Sequence, residues 1–352
     1  MKVLLLSALK TCTGNCCTAQ RISDYLQEAG HDSLLADNDA FSSSSEFNQH
    51  IAKMGADCVL AIHAYRSGRL LLECPVPYSI VFGGTDVNEH HRNHDRLVTM
   101  TAAVAKARFL VSFNKPMRDQ ALALWPDIDS KLHIQPQGIV TSPSSRFDFH
   151  QHLQATCGIP KDSSVFLLVA GLRLVKDPLY LVHKFSEWHL KHGDVYLVIV
   201  GPSLDQQFTE KVKTTVKRLP GVEILDPLSQ GDCHKAMQDS TALVNSSLSE
   251  GMSTAILEAM DLCVPVVARS IPGNRTLITH GQTGLLYETP QEFIRLADNL
   301  LASPDQRAAI TRQAKEFVDA HHSPQDERCT YVSLVKGMVS DQWSAAGQDR
   351  ST

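Results

Sequence analysis

The chain has 352 residues, enough for two domains with sizeable cores. A hydrophobic share of 43%, a charged share of 20% and a net charge of -5 are those of an ordinary globular protein. They argue against a nucleic-acid binder, whose surface carries a basic excess, and no apolar run approaches the ~20 residues that span a bilayer.

The N-terminal run "MKVLLLSALKTCTG" has the outline of a secretory signal, but Lys10 closes a short apolar stretch without a clear cleavage pattern. It reads better as a buried first strand. The nine cysteines are odd in number and scattered, which suggests reduced thiols in a cytoplasmic protein. "CTGNCC", with Cys12, Cys16 and Cys17, lacks zinc-ligand spacing.

Strands and helices then alternate. "KVLLLSAL" leads to a helix over 18–29, "SLLAD" to a helix near 46–54, and "CVLAIHA" and "YSIVF" follow. A helix over 95–107, "RFLVSF", a helix over 117–125 and "LHIQP" complete the first half. These strands are continuous apolar runs, as expected when helices cover both faces of a parallel sheet. After the Pro/Ser-rich stretch 140–162, read as a linker, the pattern restarts with "SVFLLVAG", "VYLVIVG", "VEILDP", "ALVNSS", "VPVVAR" and "TGLLY". Helical segments begin at Pro290, Pro304 and Pro324. The fold class is therefore α/β with two doubly wound, Rossmann-like domains facing a cleft. The expected divisions are 1–145, 146–322 and a helical tail 323–352 that crosses back to the first domain.

Ligands of such sheets bind beyond the carboxyl ends of the strands, so the residues there are the candidates. After the first strand, Gly14 offers a turn, and Asn15 and Thr18 stand near a helix start suited to an anion or a sugar hydroxyl. The pattern G-x-G-x-x-G is absent, which disfavours a nicotinamide dinucleotide. "CVLAIHA" delivers His63 and Arg66. "YSIVF" delivers Gly83, Gly84, Thr85 and Asp86, where backbone can approach a ligand and Asp86 can accept hydroxyl hydrogen bonds. Gly138 in "PQGIV" stands between the domains. "EHHRNH", with His90, His91 and His94, has no matching ligand set for a metal and reads as a solvated loop.

In the second half, Arg173 and Lys176 follow the first strand, and two fixed cations there suit a diphosphate. Gly201 supplies a turn. In "SEGMSTAILEAM" Gly251 breaks the strand, Ser253 or Thr254 can cap a helix, and the N–H groups of Gly251, Met252 and Ser253 aim at anionic oxygens. Glu258 then lies within reach of ribose hydroxyls, while Glu250 is expected on the rim. The bare Glu-x7-Glu spacing is a weak signal.

Taken together, "AGLRLVKDP", "LVIVGPS", "NSSLSEGMSTAILEAMDLCVPVVA", "IPGN" and "GQTGLLY", in this order, resemble the retaining nucleotide-sugar glycosyltransferases of the glycogen synthase and mannosyltransferase type. That resemblance implies the GT-B fold and transfer of a sugar from a nucleotide-sugar donor, UDP-linked, to an unidentified acceptor with retention of anomeric configuration. It implies that Arg173 and Lys176 neutralise the donor diphosphate, that Glu258 holds the ribose and that Glu250 faces the transferred sugar. It also implies no cofactor or metal ion. Acceptor or sugar contacts would come from Asn15, His63, Arg66, Gly84, Thr85 and Asp86. The sequence departs from the family in the short gap between Arg173 and Lys176 and in Gly83 where a histidine is common. Two alternatives compete with transfer: a nucleotide-sugar binding protein without turnover, and a GT-B epimerase or phosphorylase.

Overall fold

The computed structural model describes residues 1–10 and 13–339; Cys12 and residues 340–352 of the expected tail lie outside them. The chain forms two compact units, Met1–Gly138 joined by the segment from Pro324, and Ile139–Ser323.

The first unit holds strands β1 (Lys2–Ser7), β2 (Asp32–Asp37), β3 (Cys58–Ile62), β4 (Tyr78–Val81), β5 (Leu110–Ser112) and β6 (Leu132–Ile134). They form one parallel sheet in the order β2-β1-β3-β4-β5-β6. Val3, Leu5, Val59 and Leu60 are fully buried, so neither face of this sheet meets water. The run that mimics a signal segment is thus the interior strand β1, flanked by β2 and β3.

The second unit repeats the plan with β7 (Ser164–Val169), β8 (Val195–Val200), β9 (Val222–Leu225), β10 (Ala242–Asn245), β11 (Val266–Arg269) and β12 (Leu285–Tyr287). Their order is β12-β11-β10-β7-β8-β9, again all parallel. Successive residues of β7 feed opposite cores. Phe166 and Leu168 pack with Phe185, Trp188 and Phe293, whereas Val165 and Leu167 pack with Ile256, Leu257 and Met260.

The change of unit falls between Gly138 and Ile139 rather than between 145 and 146. Ile139 is buried in the second core, and its N–H donates to the His322 carbonyl at 3.1 Å. The stretch read as a linker also contains a helix, Phe149–Cys157. Asp148 caps it by accepting the Gln151 N–H, Phe149 and Leu153 are buried, and Gly158 ends it at φ 71°.

The helix Pro324–Val339 belongs to the first unit. An ion pair between the largely buried Arg21 and the fully buried Glu327 holds it to the helix Gly14–Glu28: Arg21 Nε and Nη2 reach Glu327 Oε2 and Oε1 at 2.7 and 3.1 Å. Tyr25 Oη donates to the same carboxylate at 3.2 Å. Gly138, at the boundary between the units, serves this packing. A Cβ there would lie 2.6 Å from Pro324 Cα and 2.8 Å from Glu327 Oε2. Glu327→Ala would strand the guanidinium of Arg21, so we expect a loss of about 3–5 kcal/mol, measured as a lower urea midpoint with fluorescence from the first unit.

Candidate functional site

In the second sheet the strand order reverses between β7 and β10, the switch point at which doubly wound sheets place their ligands. After β7 the backbone runs extended through Arg173 and then makes a tight turn over Leu174–Lys176. Asp177 follows at φ 41°. Glycines allow the close backbone approach that sets this turn. A Cβ on Gly201 would stand 2.0 Å from the Ala170 carbonyl oxygen, and one on Gly171 would stand 2.4 Å from Leu204 Cδ1. Gly201 therefore shapes the end of β7.

The loop after β10 is bonded to that turn. Leu248 N–H donates to the Val175 carbonyl at 2.8 Å, and Ser246 Oγ donates to the Lys176 carbonyl at 3.1 Å. Arg269, from β11, pairs with Asp177 at 3.0 Å and lies 3.8 Å over the Tyr180 ring. The two loops of the switch point are thereby tied into one bonded network.

Within it Lys176 Nζ reaches both carboxylate oxygens of Glu250, at 2.6 and 2.8 Å. Ser247 Oγ and Asn245 Nδ2 donate to Glu250 Oε1 at 2.6 and 3.1 Å. Asn274 Nδ2 in turn donates to Asn245 Oδ1 at 2.9 Å, which fixes the amide of Asn245 in the donating orientation. Glu250 was expected on the rim, yet its side chain is only 8% exposed. The reason is the loop "IPGN": Gly273 packs on it so closely that a Cβ would come 2.1 Å from the Glu250 carbonyl oxygen. Burial alone would raise the Glu250 pKa, but Lys176, Ser247 and Asn245 outweigh it and hold the carboxyl below its ordinary value.

Glu258 has a separate neighbour. It lies on the helix Thr254–Asp261, with His234 Nε2 at 3.5 Å from its Oε1. Ser253 is the N-cap residue of that helix but makes no side-chain cap bond, and Met252 packs against the apolar core. Gly251, Met252 and Ser253 connect the Glu250 loop to this helix. Sequence reasoning passed over Asn245, Ser247, Asn274 and His234. The first two stand in "NSSLSE" beside a quoted residue, and Asn274 ends "IPGN"; only a map of what touches Glu250 separates them from ordinary loop residues.

In the first unit the strand order reverses between β1 and β3. Gly14 and Asn15 open the helix Gly14–Glu28 after β1. His63, after β3, is 2% exposed and has φ 81°, a conformation that costs a side chain about 1–3 kcal/mol. Its Nδ1 accepts the N–H groups of Tyr65 and Arg66 at 3.2 and 3.1 Å, so Nε2 carries the proton and donates to Thr85 Oγ1 at 3.0 Å. The Arg66 side chain is exposed. Gly83 makes room for the imidazole, since a Cβ there would be 3.2 Å from His63 Cδ2, and Gly84 turns the chain at φ 93°.

Asp86 does not accept ligand hydroxyls, contrary to the sequence reading. It is fully buried, and its carboxylate takes backbone N–H groups of Ala64, Gly83 and Val87 at 2.8, 2.9 and 3.1 Å. "EHHRNH" is not wholly a solvated loop either. His90 packs 4.9 Å from His63 and 5.3 Å from Tyr65, ring to ring, and burial, with His63 and Arg96 acting the same way, pushes its pKa down to about 4. Among the described residues no group of three or more His, Cys, Asp or Glu could hold a metal ion, and no helix is long and apolar enough to cross a membrane.

Residues 151–317 match the family model "Glycosyl transferases group 1". The chain is 45% identical over 338 residues to "Glycosyltransferase 1 domain-containing protein 1" of Xenopus tropicalis, covering 95% of this chain and 97% of that one. It is 23% identical over 281 residues to a D-inositol 3-phosphate glycosyltransferase of Frankia alni, covering 73% and 68%. Among solved structures, Anabaena Alr3699/HepE in complex with UDP-glucose superposes with a TM-score of 0.77 at 14% identity, covering 96% of this chain and all of the other. The fold is that of the GT-B glycosyltransferases.

The depressed Glu250 pKa has a consequence for stability. A carboxyl lowered by folding stabilises the native state above its unfolded pKa, and the contribution vanishes as pH falls through the folded value. The stability of the wild type relative to Glu250→Gln, from urea midpoints, should be constant above about pH 5.5 and shrink below about pH 4.5.

Proposed function

The chain belongs to the group 1 glycosyltransferase family, and from that premise we propose that it transfers a sugar from a UDP-linked donor to an acceptor with retention of anomeric configuration. The observation that carries this reading is the Lys176–Glu250 pair at the β7/β10 switch point, where a cation and a carboxylate stand preorganised among neutral donors. Arg173 and Lys176 place positive charge where a departing diphosphate develops negative charge, and stabilising that charge lowers the barrier most. Glu250, held ionised by its partners, accepts from hydroxyls of the transferred sugar. Glu258 accepts from the ribose. The UDP preference follows the UDP-glucose complex of the Anabaena relative in fold.

A donor screen tests the proposal: UDP release from UDP-, GDP- and ADP-sugars is followed with and without simple alcohols and sugars as acceptors. We expect turnover with a UDP-sugar, and NMR of the product should show the donor's anomeric configuration. Lys176→Ala should lower kcat roughly 10²–10³-fold. Glu258→Ala should chiefly raise the donor KM, by roughly tenfold. Because side-chain cations carry the leaving-group charge in this reading, EDTA should leave the rate unchanged. Tight UDP-sugar binding with no turnover on any acceptor would instead identify a nucleotide-sugar binding protein.

A further inference from the structure

His234 is 2% exposed on the helix Gln230–Gln238, and nothing in the chemistry above uses it. Its Nδ1 accepts the Ser142 N–H at 3.0 Å. A neutral imidazole carries one proton, so an accepting Nδ1 places that proton on Nε2. Nε2 is buried without a hydrogen bond and stands 3.5 Å from Glu258 Oε1. A satisfied core histidine would account for the first nitrogen only. The second is a buried donor 3.5 Å from the carboxylate of a candidate ligand-binding residue, and burying a donor without a bond is costly.

The ring is firmly held. Ser144 N–H donates to the Gly231 carbonyl at 2.9 Å, at the start of the His234 helix. Thr141 Oγ1 donates to Asp261 Oδ2 at 2.6 Å, at the end of the Glu258 helix. The segment from Thr141 to Ser144 therefore ties both helices together and sets which nitrogen of His234 points at Glu258. At 3.5 Å the gap is longer than a good hydrogen bond, and such contacts tighten when a ligand is bound.

We infer that His234 is a positioning residue whose Nε2–H fixes one oxygen of Glu258 and turns the other toward the ribose hydroxyls of a nucleotide. This rests on the reading of Glu258 as the ribose anchor. The arrangement is one in which the outer partner of a binding group orients it without touching the ligand.

The test is calorimetric titration of UDP and 2′,3′-dideoxy-UDP into the wild type, Glu258→Ala, His234→Ala and His234→Gln. The wild type should favour UDP by roughly tenfold, the value of a hydrogen bond to a charged group. Glu258→Ala should abolish that preference. His234→Ala should bring the ratio toward one while affinity for the dideoxy nucleotide holds, and His234→Gln, which keeps an N–H donor, should restore much of it. If His234→Ala does not fold, His234→Asn replaces it: it can accept from Ser142 but is too short for Glu258, so it should behave as the alanine variant. A wild-type ratio retained in His234→Ala, or equal weakening of both nucleotides, would overturn the inference while leaving Glu258 as the anchor. A wild type that binds both nucleotides equally would overturn the anchor and the inference with it. No binding of UDP by the wild type would overturn the UDP-donor reading as well.

Discussion

The reversal of strand order between β7 and β10 is the constraint on which the rest of the second unit depends. Only there do two neighbouring strands send their following loops to opposite sides, opening space beyond the sheet. The protein fills that space with a buried carboxylate, and a buried charge persists only if it is paired and hydrogen-bonded. Lys176, Ser247 and Asn245 supply those partners, and Asn274 holds Asn245 in place. The glycines at 201 and 273 follow from the same demand, because the loops must approach within distances that no Cβ allows.

The first unit uses related devices at its own reversal, between β1 and β3. Asp86 gathers three backbone N–H groups, and His63 gathers two more while bonding Thr85. Strain at His63 is sustained by this network and by the gap that Gly83 leaves. The Arg21–Glu327 pair then closes the unit by fastening the last described helix to the first.

Much of this was legible in the sequence for physical reasons. Strands buried on both faces must be continuous apolar runs, so β1, β3, β7 and β8 announced themselves, and the parallel architecture followed. "SEGMSTAILEAM" was legible as a strand-to-helix turn, and Arg173 and Lys176 as cations at a strand end. What stayed hidden depends on contacts between distant segments. No local pattern states that Lys176 meets Glu250, that "IPGN" buries Glu250, or that Gly138 faces Pro324. Asp86 was misread for the same reason, since a strand-end aspartate looks alike whether it faces solvent or three amides. The helix Phe149–Cys157 was missed because proline and serine around it outweighed its two buried anchors, Phe149 and Leu153.

In the proposed function the Lys176–Glu250 pair is the centre of donor binding. The most direct measurement is the shift in melting temperature on adding a UDP-sugar, taken side by side on the wild type and Lys176→Met. A ligand that binds only the folded state stabilises it in proportion to its affinity. We expect a concentration-dependent rise for the wild type and little or none for the variant. An equal rise in both, or no rise in the wild type with any UDP-sugar, would contradict it.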